Sequence, residues 1–200
     1  MIKELLRGTG VALVTPFDTN GNVDEAALQR LINFVIDNGA QYLVSLGTTG
    51  ETATLSKEEK KAVFDLTVQE AAGRVPVVIG IGGNNTKELL SEFSYYNLSK
   101  AAAILSASPY YSKPSQEGIY QHYKALAGAT DKPIILYNVP GRTSSNVTAE
   151  TTLRLATEIP NIAGIKEASG NMVQCMHIIK GAPKDFLVTS GDDHLTLPLL

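Results

Sequence analysis

Lys166, in the stretch Gly164-Ile165-Lys166-Glu167-Ala168, is the residue whose type and setting promise the most chemistry. It lies in an apolar run of strand character, where successive side chains face opposite sides of a sheet. If Ile165 faces outward, Lys166 faces inward. Burial disfavours the ammonium form and lowers the amine pKa, which lets a lysine attack a ketone and form a Schiff base. The same pattern also suits a lysine neutralised by a buried carboxylate, or a strand-end lysine whose ammonium reaches solvent. Tyr137 ends the preceding apolar run and by the same alternation shares the inward face. Its phenol can move protons while a carbinolamine forms and dehydrates, although a core tyrosine with a satisfied hydroxyl has the same pattern. Gly47-Thr48-Thr49-Gly50-Glu51 follows another apolar run. Its glycines, backbone N–H groups and hydroxyls would make a carboxylate cradle, or plain turn punctuation. Arg142, just past Pro140-Gly141, has the planar fork that grips a second carboxylate, or is an ordinary exposed loop arginine.

These groups need a scaffold that brings them together. Seven short apolar runs, at 10–17, 42–47, 75–81, 101–108, 133–139, 162–168 and 186–191, alternate with helical patterns. That is the rhythm of repeated βα units around a parallel sheet. Residues 24–39 place Leu28, Leu31, Ile32 and Val35 at helical spacing and end on Gly39, where a C-terminal cap belongs. Residues 56–73 have the same grammar, from Ser56 before acidic residues to Gly73. No linker or low-complexity tract interrupts the chain, so a single domain over 1–200 is expected. Thr48, Thr49, Tyr110, Tyr111, Tyr137, Arg142, Lys166 and Asp192 follow or end five of the seven runs. A closed ring lets side chains from several strand ends converge, whereas an open doubly wound sheet gathers its chemistry at one switch point. The expected fold is therefore α/β, a TIM (β/α)8 barrel of which about seven βα units are present.

Composition narrows the partners. The chain has 200 residues, 44% hydrophobic and 18% charged, with a formal net charge of -3. It offers no basic stripe for nucleic acid and no apolar run long enough for a membrane span. The charged start and the lone Cys175 give neither a signal peptide nor an internal disulfide, so a cytoplasmic protein is expected. On the same ground the sequons at Asn84, Asn97 and Asn146 are set aside. Gly80-x-Gly82 is followed by Asn85 where a dinucleotide fingerprint needs glycine. His122, His177 and His194 show no metal-ligand spacing and read as satisfied or exposed histidines. Asp192 and Asp193 precede a helix and read as caps. A glycosidase pair drawn from Glu51, Glu167 and Asp192 is disfavoured, because Glu167 should face away if Lys166 faces in.

The ordered motifs GTTGE, SPYYSKPSQEG, YNVPGRT, GIKEA and SGDD resemble the dihydrodipicolinate synthase family of pyruvate-dependent, class I aldolase-type lyases, from about Gly8 to the last residue. The resemblance implies that Lys166 forms an imine with pyruvate and that the enamine attacks aspartate 4-semialdehyde. The product would be 4-hydroxytetrahydrodipicolinate, on the way to lysine and diaminopimelate, with no cofactor and no metal. It implies a proton relay of Tyr137, Thr48 and Tyr111, with Tyr111 reaching into the site of a neighbouring subunit of a homotetramer, a dimer of dimers. Thr49 and Gly191 would bind pyruvate, and Arg142 the carboxylate of the aldehyde. Lysine-inhibited members have an allosteric pocket that corresponds to Thr52, Ala53, Asn84, Glu88 and Tyr110. Lys57 and Lys60 stand where that pattern has histidines, so weak lysine inhibition is expected. The family continues past residue 200 into an eighth strand and C-terminal helices, so a truncated barrel is expected here. Two alternatives stay open. One is a related aldolase, such as N-acetylneuraminate lyase or a keto-sugar-acid aldolase, whose pattern lacks Arg142. The other is an inactive truncated barrel acting as a binding module.

Overall fold

The computed structural model describes residues 1–199. Its strands are β1 (Gly10–Ala12), β2 (Tyr42–Ser45), β3 (Val77–Gly80), β4 (Ala103–Ala107), β5 (Ile134–Asn138), β6 (Ile162–Glu167) and β7 (Leu187–Ser190), ordered along the sheet as along the chain. The β1–β2, β2–β3, β5–β6 and β6–β7 pairs are parallel. Helices alternate with them: α1 (Ile2–Leu5), α2 (Glu25–Asp37), α3 (Lys57–Ala71), α4 (Thr86–Phe93), α5 (Gln116–Ala127), α6 (Pro140–Thr143), α7 (Ala149–Glu158), α8 (Met172–Gly181) and α9 (Thr196–Leu199). Each of the seven apolar runs contains a strand, shorter than the run itself. Two compact units divide the chain: residues 3–81 with 96–104, and residues 82–95 with those from Leu105 onward.

In the first unit α2 and α3 bury Leu28, Ile32, Val63 and Phe64. Phe64 meets Tyr96 edge-on at 6.1 Å. Both helices start on side-chain caps, Asp24 to the Ala27 N–H and a capping box between Ser56 and Glu59. Gly39 has φ +96° just beyond α2, as the sequence suggested, while after α3 Ala72 takes the left-handed cap ahead of Gly73. Gly80 is required by proximity: a Cβ there would lie 2.1 Å from the Leu46 carbonyl oxygen. The end of β3 thus packs directly on the turn that follows β2.

In the second unit all five residues of β5 are buried, and Ile134, Leu136 and Ile165 are fully so. Each such side chain contributes roughly 1.5–3 kcal/mol of transfer free energy. Asn85, Ser115, Thr148 and Asn171 cap α4, α5, α7 and α8 with their side chains. Caps at these positions fix where each strand-to-helix loop ends, and therefore how its residues are presented.

Candidate active site

Tyr137 on β5 and Lys166 on β6 are register partners. The Lys166 Nζ lies 4.7 Å from the centroid of the Tyr137 ring. Alternation separates them from their neighbours: Glu167 faces the opposite side, where it receives a hydrogen bond from Gln174 of α8. Lys166 is half-buried and Tyr137 buried. Burial pushes the Lys166 amine below its ordinary value, against the charges of Asp193 and Asp192, which pull it back up. Among the described residues no carboxylate stands within ion-pair distance of this lysine. Its setting is thus that of a partly desolvated amine next to a phenol rather than of a buried salt bridge.

Gly191, on the turn after β7, closes one side of this space. A Cβ there would lie 3.0 Å from Lys166 Cε and 2.7 Å from Ala168 Cβ, so any side chain would press on the lysine stem. Asp192 corrects the capping expectation. It occupies the N-cap position of the short 3-10 turn Asp193–Leu195, yet its carboxylate makes no capping hydrogen bond. Its main chain is tied instead to Ser190, whose Oγ donates to the Asp192 carbonyl at 2.8 Å. The Asp192 and Asp193 carboxylates act on Lys166 through their charge.

Thr48 and Thr49 open a 3-10 turn, Thr48–Gly50, and both are exposed. The Gly50 and Glu51 N–H groups are used inside the turn, on Gly47 O at 3.0 Å and Thr48 O at 3.1 Å. The cradle is therefore narrower than the sequence suggested, and the N–H groups at the start of the turn, those of Thr48 and Thr49, fall outside this internal pattern. Buried Thr15 pins the turn by donating its hydroxyl to Gly50 O at 2.7 Å. Leu46 enters it with φ 58°.

Arg142 lies not in an open loop but in α6, whose Pro140 starts the helix, and it is exposed. Buried Thr143 anchors that helix through its hydroxyl, which donates to Ser145 O at 2.8 Å. Tyr111 is 85% exposed and holds a φ of 72°. A bulky side chain in the left-handed region is a strained arrangement of the kind found at functional positions. Tyr110, 42% exposed, accepts at its carbonyl from Asn84 Nδ2 at 3.5 Å. Glu88 is exposed on the first turn of α4, its N–H held by the Asn85 cap. Thr52 is half-buried and Ala53 exposed in the segment before α3.

Two arrangements were not read from the sequence. Asn138 and Glu167, each one residue beyond an inward group, meet on the far face of the sheet at 3.0 Å. Buried-strand runs that both close on a polar residue were the available signal. His122 on α5 is buried, with its Nδ1 2.7 Å from Thr86 Oγ1 on α4, and burial lowers its pKa to about 4. Its other ring nitrogen, Nε2, lacks a hydrogen-bond partner among the described residues. This histidine is only half satisfied, which departs from the expectation.

The model of the Dihydrodipicolinate synthetase family matches residues 5–200. The chain belongs to that family. A 4-hydroxy-tetrahydrodipicolinate synthase of Flavobacterium psychrophilum is 58% identical over 193 residues, covering 96% of this chain and 66% of the relative. The crystal structure of dihydrodipicolinate synthase from Aquifex aeolicus superposes with a TM-score of 0.92 at 44% identity, covering 96% of this chain and 65% of that one. Dihydrodipicolinate synthase from Cyanidioschyzon merolae with lysine bound gives 0.91 at 41% identity, covering 96% and 66%. The chain thus spans about two thirds of the length of the dihydrodipicolinate synthetase relatives that it matches. With these neighbours, the seven βα units are those of a TIM barrel.

Proposed function

We propose that the protein to which this chain belongs is a lyase that condenses pyruvate with aspartate 4-semialdehyde to 4-hydroxytetrahydrodipicolinate, in lysine and diaminopimelate biosynthesis. The observation that carries the reading is the half-buried Lys166 amine held 4.7 Å from the Tyr137 ring, with its pKa lowered by burial. The names of the relatives support the choice of product, and one solved relative, from Acinetobacter baumannii, is complexed with pyruvate. Neutral amine adds to the pyruvate carbonyl, and the carbinolamine loses water when a proton reaches its hydroxyl, a transfer suited to the Tyr137 phenol. The iminium nitrogen then draws electrons from the adjacent methyl group, which loses a proton to give the enamine. The enamine carbon attacks the aldehyde, whose oxygen takes a proton to become the hydroxyl. The amino group of the aldehyde substrate then adds to the imine carbon and displaces Lys166, closing the ring and freeing the amine. The imine itself is the electron sink, so this reading calls for no cofactor and no metal.

In this reading Thr48 and Tyr111 extend the proton path, Tyr111 from a neighbouring subunit of a homotetramer. Thr49 and Gly191 hold pyruvate, and Arg142 receives the carboxylate of the aldehyde. Thr52, Ala53, Asn84, Glu88 and Tyr110 form the proposed lysine-responsive set. A single barrel domain in the cytoplasm is the setting that we propose. Borohydride reduction of the complete protein with pyruvate tests the assignment: a permanent mass gain is expected, mapping to the Lys166 peptide. No adduct, or one on another lysine, overturns the reading.

A further inference from the structure

Tyr137 and Lys166 are each followed by a buried polar residue, and these two meet on the opposite face of the sheet. Asn138 and Glu167 are register partners, 0% and 2% exposed. The Glu167 carboxylate accepts from Asn138 Nδ2 at 3.0 and 3.1 Å, from Gln174 Nε2 at 3.0 Å and from the Ser169 N–H at 2.9 Å. The remaining ends of the amides are also used: Asn138 Oδ1 accepts from the Val147 N–H, and Gln174 Oε1 accepts from Asn146 Nδ2, both at 2.9 Å. Main-chain bonds repeat the tie, from Ala168 N to Asn138 O at 2.8 Å and from Gly191 N to Glu167 O at 2.7 Å. Among the described residues no cation lies within ion-pair distance of Glu167.

A carboxylate taken out of water without a cation is costly unless hydrogen bonds replace its hydration. Neutral amides and one backbone N–H do so here. For stability alone a well-packed apolar pair would serve as well, so the carboxylate needs another reason. Ionised, it is acceptor-only, which forces both amides to present N–H groups to it and leaves each a single orientation. Bonds to a charged acceptor are also stronger than neutral ones. The result is a rigid crosslink of β5, β6, α8 and the segment after α6, set one residue beyond the two inward groups. Since neighbours on a strand point to opposite faces, a rotation of β6 at Glu167 turns Lys166 with it.

We infer that Glu167, acting with Asn138 and Gln174, is a positioning residue that holds the Lys166 amine beside the Tyr137 ring. This inference rests on the lyase reading above and assigns Glu167 no contact with substrate. Glu167→Gln keeps the shape but replaces an acceptor by an NH2 group that faces the N–H groups of Asn138 and Gln174. In the complete protein, borohydride-trapped pyruvate adduct is expected to form on this variant about tenfold more slowly or worse, reaching the same endpoint with little change in apparent pyruvate affinity. Glu167→Gln with Asn138→Asp, which exchanges donor and acceptor across the pair, is expected to recover part of the rate.

A readout independent of turnover is the pH at which Lys166 becomes half-labelled by an amine reagent. That pH is expected to rise in Glu167→Gln toward ordinary lysine as the amine leaves its buried setting, with Tyr137, Asp192 and Asp193 unchanged. If Glu167→Gln fails to fold, Gln174→Met removes one donor at similar volume and takes the same measurements. A variant that melts earlier yet traps pyruvate at the wild-type rate, with an unmoved labelling pH, overturns the positioning role. A wild-type protein that traps no pyruvate overturns the lyase reading instead, and the labelling pH still decides whether Glu167 positions the amine.

Discussion

At Lys166 the burial that suits the amine to the proposed nucleophilic role also works against the fold. The unfolded chain holds its proton up to the ordinary value of 10.5, while the folded protein gives it up at lower pH. Between those two values the unfolded state binds more protons, so stability climbs with pH there and the full cost is present below the lowered pKa. Lys166→Met removes that cost and is expected to melt at higher temperature than wild type at neutral pH, with a flatter rise toward alkaline pH. Calorimetry across pH checks both, and a lower melting temperature at neutral pH contradicts the desolvation account. Arg142 is expected to behave differently, since it is exposed on α6 and, in the proposed mechanism, receives the second substrate. In the complete enzyme Arg142→Ala should spare pyruvate trapping and raise the aldehyde KM, with a loss of roughly 1.5–3 kcal/mol in kcat/KM. Equal damage to trapping would place the guanidinium at the first substrate.

Between elements, α4 and α5 are clasped by Thr86 and His122 at 2.7 Å. His122 has an ordinary value of 6.5 and is lowered to about 4 by burial, so the folded protein keeps it neutral. As pH falls through that interval the unfolded chain takes up the proton first. Stability is therefore complete above the ordinary value and is lost progressively down to about pH 4. At about 1.4 kcal/mol per pKa unit the loss approaches roughly 3 kcal/mol. His122→Gln keeps a group that can bond Thr86 but does not titrate. Urea unfolding at neutral and acidic pH should show that this variant loses less stability on acidification than wild type does. An equal loss would assign the acid sensitivity to other groups.

For the whole protein, Tyr111 is exposed, left-handed in φ and, in the proposed mechanism, completed only by a neighbouring subunit. The complete protein is expected to sediment as a tetramer, and a fully active monomer would remove Tyr111 from the relay. Regulation is argued at the same scale. In the proposed lysine-responsive set, Lys57 and Lys60 stand where the family resemblance implies histidines near the effector's side chain. Two ammonium groups a few ångströms from lysine's own would repel it by roughly 1 kcal/mol or more. Lysine should therefore inhibit the complete enzyme weakly or not at all in a coupled assay. Strong inhibition at low lysine would show that both ammonium groups point away from the effector.

The strand rhythm, the Ser56 cap, the Gly39 helix end and the pairing of Lys166 with Tyr137 on one face were legible in the sequence, because alternation, 3.6-residue periodicity and cap chemistry are local properties written residue by residue. Glu167 was legible only in part: alternation turned it away from Lys166, but nothing local named Asn138 and Gln174 as its partners. Those come from separate stretches of chain that only the register of β5 against β6 and the docking of α8 bring together. The same limit explains Asp192, where a residue type suited to capping stands at the N-cap position without making the bond, and His122, whose partner lies 36 residues away. Residue type and spacing determined which chemistry is proposed for this chain. Tertiary packing decided which groups are desolvated and what holds them in place, since burial and hydrogen-bond partners depend on contacts between residues far apart in the chain.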